Sequence, residues 1–236
     1  MGKIHNVEKM TDNRFVNLYH VDATSVHNTP VSYYVASRAK DVPALKLKTG
    51  RNDPDGVIIY SIYGEKKDKV VLVRQYRYTL GDYIYEFPAG LVEPGEDFHE
   101  GAVREMYEET GLKLEPLKVD SAFEKPYFTT VGMTDESCAT VYGYASGEIS
   151  KAAQEDSEEI EIVLADRTEV KRILKEERVL NPIITWNGYI VDGHTRYQVL
   201  RKYPFIPFEV IEKEFSSRYE ALAWICKNQL GRRNLT

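Results

Sequence analysis

Cysteine is almost absent from this chain. Only Cys138 and Cys226 occur in 236 residues, far apart and without metal-ligand spacing. That excludes a disulfide framework and a cysteine-based zinc site, and sets a reduced, cytoplasmic protein as the expectation. Long apolar runs are missing too. None approaches the ~20 residues that span a bilayer, and the opening MGKIHNVEKM has no apolar core of the kind a signal peptide carries. An excess of positive charge is likewise lacking. The 31 Lys and Arg against 37 Asp and Glu leave a net charge of -6, which argues against a broad nucleic-acid-binding surface and leaves only a local basic patch, as at Arg232 and Arg233. No internal repeat or low-complexity tract is visible. What remains, 42% hydrophobic and 29% charged, is globular composition, long enough for one large domain or two small ones.

The first half of the chain reads as β-rich. Apolar, aromatic runs at Phe15 to Val21 and Val31 to Ala36 flank His27-Asn28-Thr29-Pro30, a turn sequence, and predict a hairpin. Asp53-Pro54-Asp55-Gly56 is a second turn, before a β-branched and aromatic strand over Val57 to Tyr63. Lys66-Lys67-Asp68 interrupts, and strands follow over Lys69 to Tyr76 and Tyr83 to Phe87. Residues 97 to 110 predict a helix, with Asp97 as its cap, Glu100 completing a capping box, and Phe98, Ala102, Val103 and Met106 facing the core. Gly111 suits the left-handed residue that ends it. Strands are expected at Ser121 to Lys125, Ala139 to Ala145 and Ile160 to Ala165, and an amphipathic helix over Thr168 to Val179. Beyond Val179 the character changes: a hairpin around Asn187-Gly188, a basic helix over Thr195 to Tyr203, and a further helix over residues 216 to 229.

The helix at 97 to 110 carries Glu105, Glu108 and Glu109 at i,i+3 and i,i+4 spacing, on one face. Like charges so placed cost about 0.2–0.5 kcal/mol per pair, and in the C-terminal half of a helix they also oppose its dipole. Local stability does not explain them. Hard divalent cations such as magnesium do, because carboxylate oxygens are their preferred ligands. The alternative for three glutamates alone is a solvated acidic face.

The surrounding residues extend the pattern. Gly90 is followed by Glu96, then by Arg104-Glu105-Met106-Tyr107-Glu108-Glu109-Thr110-Gly111-Leu112, which matches each fixed position of the Nudix signature, with Met106 and Leu112 at its aliphatic positions. The chain thus resembles the Nudix hydrolases. The resemblance implies an α/β/α sandwich, here with an N-terminal antiparallel β-region and a small α+β segment after it, and a box formed as loop, helix and loop. It implies metal ligation by Glu105, Glu109, Glu96 and the main-chain carbonyl of Ala89, with Glu108 beside them. Arg104 is expected to orient the glutamates. Gly90 reads locally as a turn glycine. The implied cofactor is Mg2+, with Mn2+ as a substitute, which neutralises a diphosphate, orients a water and lowers its pKa, while a carboxylate base removes the proton.

The flanks refine the resemblance. Val73-Arg74-Gln75-Tyr76-Arg77 before Tyr85-Glu86-Phe87-Pro88-Ala89-Gly90 is similar to the ADP-ribose pyrophosphatase branch, as is Gly132-Met133-Thr134-Asp135-Glu136, where Val131 replaces the usual proline. Arg77, Glu86 and Glu136 are implied as substrate contacts; an exposed strand-end arginine is the alternative for Arg77. The acidic stretch Gln154 to Ile160 is similar in composition to the loop that supplies the general base, with Glu158 first and Asp156 next. The N-terminal strands resemble the β-domain through which such enzymes form homodimers.

Past Glu177 the long apolar helix expected of this branch is missing. Asp192-Gly193-His194-Thr195-Arg196-Tyr197 instead resembles the phosphate-contacting motif of ParB-type domains, over roughly residues 168 to 236. Gly193 and His194 would present backbone N–H groups to phosphate at a helix start, and Arg196 would add a charge-assisted bond. The expected organisation is 1–50 as the N-terminal β-region, 51–178 as the hydrolase domain and 179–236 as the ParB-like segment. A natural fusion, a recombined gene and a constructed chimera are open at the junction near Val179. The leading expectation is hydrolysis of ADP-ribose or an ADP-sugar to AMP and a sugar phosphate, without membrane association. The alternatives are a nucleotide- or DNA-binding protein acting through the C-terminal segment, and a segment that only covers the hydrolase core.

Overall fold

A computed structural model describes residues 1–154, 159–176, 182–202, 204, 206 and 208–232. The chain divides into two compact units, Met1–Leu164 and Ala165–Thr236. The first unit opens with an antiparallel sheet, β1 (Lys3–Lys9), β2 (Asn17–Thr24) and β3 (Pro30–Ser37). The expected hairpin is β2–β3, turned at Asn28 with φ 59. β1, which no sequence pattern announces, pairs with β2 through an irregularity between Ile4 and Asn6. Its residues are mostly exposed, so it lacks the alternation that marks a half-buried strand. Tyr19, Val21, Val7 and Leu45 form a small core beneath this sheet.

A short helix, α1 (Lys46–Thr49), leads into the large sheet. Its strands are β4 (Gly56–Tyr63), β5 (Lys69–Arg77), β6 (Asp82–Glu86), β7 (Ala89–Leu91), β8 (Lys113–Pro116), β9 (Tyr127–Phe128), β10 (Ser137–Ser146) and β11 (Ile160–Asp166). The order is β11-β5-β4-β10-β8, with β6 on β5, β7 on β4 and β9 on β10. β4 and β10 run parallel at its centre. Alternation along both strands points Val57 and Ile59 of β4 and Ala139, Val141 and Ala145 of β10 to one buried face.

The box helix α2 (Phe98–Thr110) contributes Ala102 and Met106, both fully buried, to the core with Val57, Ile59, Val71, Leu112 and Val141. Phe98 packs against this core, but Val103, expected there, is 39% exposed. At 100° per residue, position 103 lies off the stripe that 102 and 106 share. Asp97 caps α2 by accepting from the His99 N–H, and Gly111 ends it at φ 73 with its N–H donated to the Tyr107 carbonyl. A Cβ on Gly111 would also meet Ser150 at 2.6 Å. The strand expected at Ser121 to Lys125 is instead a helical turn, α3 (Ser121–Glu124), capped by Asp120; the Asx cap outcompetes the short apolar pattern.

The second unit holds α4 (Arg167–Glu176), β12 (Ile183–Trp186), β13 (Tyr189–Asp192), α5 (His194–Lys202), β14 (Val210–Glu212) and α6 (Arg218–Arg232). β12 pairs antiparallel with β13 and parallel with β14. Asn187 (φ 48) and Gly188 (φ 76) make the expected hairpin turn. No helix among the described residues is long and apolar enough to cross a membrane.

One polar clamp fixes the start of α2. His99 lies between two carboxylates, Nδ1 2.9 Å from Asp97 and Nε2 3.0 Å from Glu124 of α3. Burial lowers its pKa, but Glu124 and Asp97 together outweigh that and hold it above the usual histidine value. A folded-state pKa above the unfolded one adds stability at low pH. The contribution is expected to be complete below about pH 6.5 and to vanish as pH rises through the folded value. The thermal stability of the parent should therefore fall relative to that of His99→Gln between about pH 6 and 8; parallel pH profiles for the two proteins would refute the clamp.

Candidate active site

The site is built where α2 meets β7. β7 runs beside β4, with Gly90 opposite Val57 and Ala89 opposite Ile58. Gly90 has no positive φ, so the turn expected there is not what selects glycine. The reason is proximity: a Cβ on Gly90 would fall well inside 3 Å of the Glu105 carboxylate carbon and both its oxygens. Glycine lets the Glu105 carboxylate lie directly on the strand. One residue earlier, the Ala89 N–H donates to Glu109 Oε2 at 3.2 Å. Glu109 is 3% exposed, and its main-chain carbonyl accepts from the Gln154 side-chain amide at 2.6 Å. Thus i,i+4 spacing on α2 places two carboxylates against adjacent residues of one strand.

Arg104 gathers the remaining acids. Nε and Nη2 donate to the two oxygens of Glu96, each at 3.0 Å; Nη2 also donates to the Leu91 carbonyl at 2.9 Å. Nη1 donates to Glu105 and to Glu108, each at 2.9 Å. Every donor of the guanidinium is therefore used. Glu96 also accepts from the Glu93 N–H at 2.8 Å. Arg104 first and this backbone bond second hold the Glu96 carboxyl below the usual range. The Arg104 pKa is raised in turn, chiefly by Glu96, against a smaller cost of burial.

The loop bearing Glu96 borders a cavity of about 500 Å³, lined also by Arg38, Arg51, Asp53, Asp55 and Phe98. Arg38 is paired with Glu136, its Nη2 3.0 Å from the carboxylate. The expected substrate contact Glu136 is thus tied to a cation on the cavity wall. Arg77 and Glu86 are brought to each other, 2.6 Å apart across β5 and β6. Sequence reasoning does not single out Arg38, Arg51 or Gln154. No local pattern marks Arg38, whose partner lies 98 residues away.

The expected bases Glu158 and Asp156 lie outside the described residues. Among the described residues nearby, Lys151 Nζ donates to the Ile160 carbonyl at 2.6 Å, and the Tyr83 hydroxyl donates to Glu159. In the second unit, Gly193 has φ 96 and His194 begins α5. The Arg196 guanidinium turns inward, its Nη2 3.2 Å from the Pro182 carbonyl and 3.3 Å from Asp192. Arg232 ends α6, and Arg233 lies outside the described residues.

Among the described residues, no three carboxylate, imidazole or thiolate groups converge closely enough to hold a cation. The donor chemistry nevertheless fits one. Glu105, Glu109 and the Ala89 carbonyl offer only oxygen, the choice of hard divalent ions, and Glu105 and Glu109 meet neighbouring residues of β7.

Known proteins resemble parts of this chain. A putative nudix hydrolase 2 of Caenorhabditis elegans is 34% identical over 133 residues, 56% of this chain and 56% of that protein. An ADP-ribose pyrophosphatase of Bacillus subtilis is 28% identical over 130 residues, 53% of this chain and 65% of its own. A mouse ADP-sugar pyrophosphatase is 47% identical over 53 residues, 22% of this chain and 24% of its own. Each match covers less than two thirds of the relative. The NUDIX domain family matches residues 53–186, more than half of the chain, and with its mixed α/β fold the protein belongs to that family.

Proposed function

We propose that the protein hydrolyses the diphosphate linkage of ADP-ribose or an ADP-sugar, releasing AMP and a sugar phosphate, with Mg2+ or Mn2+ as cofactor. The observation that carries this reading is the placement of Glu105 on Gly90 and of Glu109 under the Ala89 N–H, an oxygen-donor set whose like charges repel each other. A divalent ion bound there would neutralise diphosphate oxygens and make a water more acidic. Glu105, Glu109 and the Ala89 carbonyl would hold it, with Glu108 beside them and Glu96 supporting the site through Arg104. Arg38, Arg51, Arg77, Glu86 and Glu136 are the substrate contacts in this reading; Arg38 and Arg51 lie on the cavity wall, each paired with a carboxylate. Glu158, with Asp156 second, would take the proton from the attacking water. The ADP-linked substrate rests on the flanking motifs and on the names of the Bacillus subtilis and mouse relatives.

The N-terminal sheet is proposed as a homodimer surface. It borders an apolar cavity of about 560 Å³, with Val31, Tyr33, Phe128 and Val131 among its walls. A phosphate-binding role for residues 168–236 is less favoured, because the Arg196 guanidinium that it requires contacts Pro182 and Asp192.

Glu109→Gln keeps an oxygen to accept the Ala89 N–H but loses the charge. Turnover of ADP-ribose with Mg2+ is expected to fall roughly 100-fold or more with the fold intact by circular dichroism; unchanged turnover would remove the ligand assignment. Gly90→Ala should displace Glu105. Overpacking of this kind costs about 1–3 kcal/mol, so its unfolding midpoint should drop along with activity. A variant as stable and active as the parent would show that Glu105 does not need the strand surface.

A further inference from the structure

We propose that Arg104 is a built-in competitor for the divalent cation. It holds Glu105 and Glu108 in the cation-free protein and yields both when the cation enters, while keeping Glu96 and the Leu91 carbonyl. The inference rests on the metal-dependent reading above. Its basis is the asymmetry of the guanidinium. Nε and Nη2 face the loop before α2, where Glu96 takes both in a two-pronged pair and is itself fixed by the Glu93 N–H. That side is anchored by main chain at Leu91 and Glu93. Nη1 alone reaches Glu105 and Glu108, both side chains of the same helix that can swing by rotation about their own bonds. The fork therefore has one edge fixed to backbone and one edge on carboxylates able to move.

The charges point the same way. Three carboxylates around one guanidinium leave excess negative charge at a partly buried place, and a dication offers Glu105 and Glu108 more attraction than a shared half of a monocation. Cation binding is then an exchange of one positive partner for another. Its affinity is reduced by the hydrogen bonds that Nη1 must give up, and in the cation-free protein the guanidinium offsets part of the repulsion among the acids.

Calorimetric titration of the full chain with Mn2+ and with Mg2+ tests this. Arg104→Gln, which can still bond Glu96 but carries no charge, should bind either cation with at least about 10-fold lower Kd, because the two charge-assisted hydrogen bonds from Nη1 no longer have to be broken. Its cation-free unfolding midpoint should fall, and the gain on adding saturating Mg2+ should exceed that of the parent. Arg104→Lys, with charge but no fork, should lie between the two and carries the same test if Arg104→Gln does not fold. Equal or weaker cation affinity in the folded variants overturns the proposal and makes Arg104 an organiser of the ligands. A parent that binds neither cation overturns both this proposal and the metal-dependent reading; a parent that binds, with variants unchanged, overturns this proposal alone.

Discussion

Four acids, Glu96, Glu105, Glu108 and Glu109, are carried on one helix and the loop before it, and the structure depends on how their mutual repulsion is contained. Charges taken out of water are costly unless paired and hydrogen-bonded. Arg104 answers most of that cost, directing all its donors to Glu96, Glu105, Glu108 and the Leu91 carbonyl. Glu109, the most buried of the four, takes a backbone N–H from Ala89. The loop at 91–96 and the helix that follows are thus tied through a single guanidinium. A lysine could not do this, because an ammonium lacks the planar fork that serves Glu96 with one edge and Glu105 and Glu108 with the other.

Backbone shape then follows from the need to bring α2 close to β7. Met106 and Ala102 bury one stripe of the helix in the sheet core, and this sets its height above the strands. The adjacent stripe, with Glu105 and Glu109, comes down on Ala89 and Gly90. Only the missing Cβ of Gly90 makes the approach compatible with a carboxylate in between. Hydrophobic packing and charge placement share one helix, and the i,i+4 period makes them inseparable: 102 and 106 for the core, 105 and 109 for the strand.

Much of this is legible in the sequence because it is local. The cap at Asp97, the stop at Gly111, the Asn187-Gly188 hairpin and the paired acids of α2 depend on spacing within a few residues, and periodicity reports such spacing directly. The role of Gly90 is not legible, since a glycine needed for close approach looks the same in sequence as one needed for a turn. The α3 turn reads as a strand because five residues are too few for apolar pattern to outvote a cap at Asp120. β1 escapes notice because its side chains are mostly exposed and carry no alternation. The cavity wall is illegible for a different reason. Arg38 and Glu136 are joined only by the fold, and pairs of that separation leave no trace in a single chain.

That long-range pairing links the N-terminal sheet to the site. The end of β3 is bound to the loop before β10 by main-chain bonds, Ala36 N–H to the Met133 carbonyl at 2.9 Å and Asp135 N–H to the Ala36 carbonyl at 3.3 Å. The Tyr33 hydroxyl donates to the Gly132 carbonyl at 2.5 Å. Arg38, just beyond β3, then reaches Glu136 and the cavity beside Glu96. Lys46 of α1 makes a second tie, 2.5 Å from both Asp55 and Ser137. The N-terminal sheet is therefore part of what shapes the cavity. In this arrangement the acids come from the box, while the opposite wall of the cavity comes from residues outside it, held by bonds that span nearly a hundred positions.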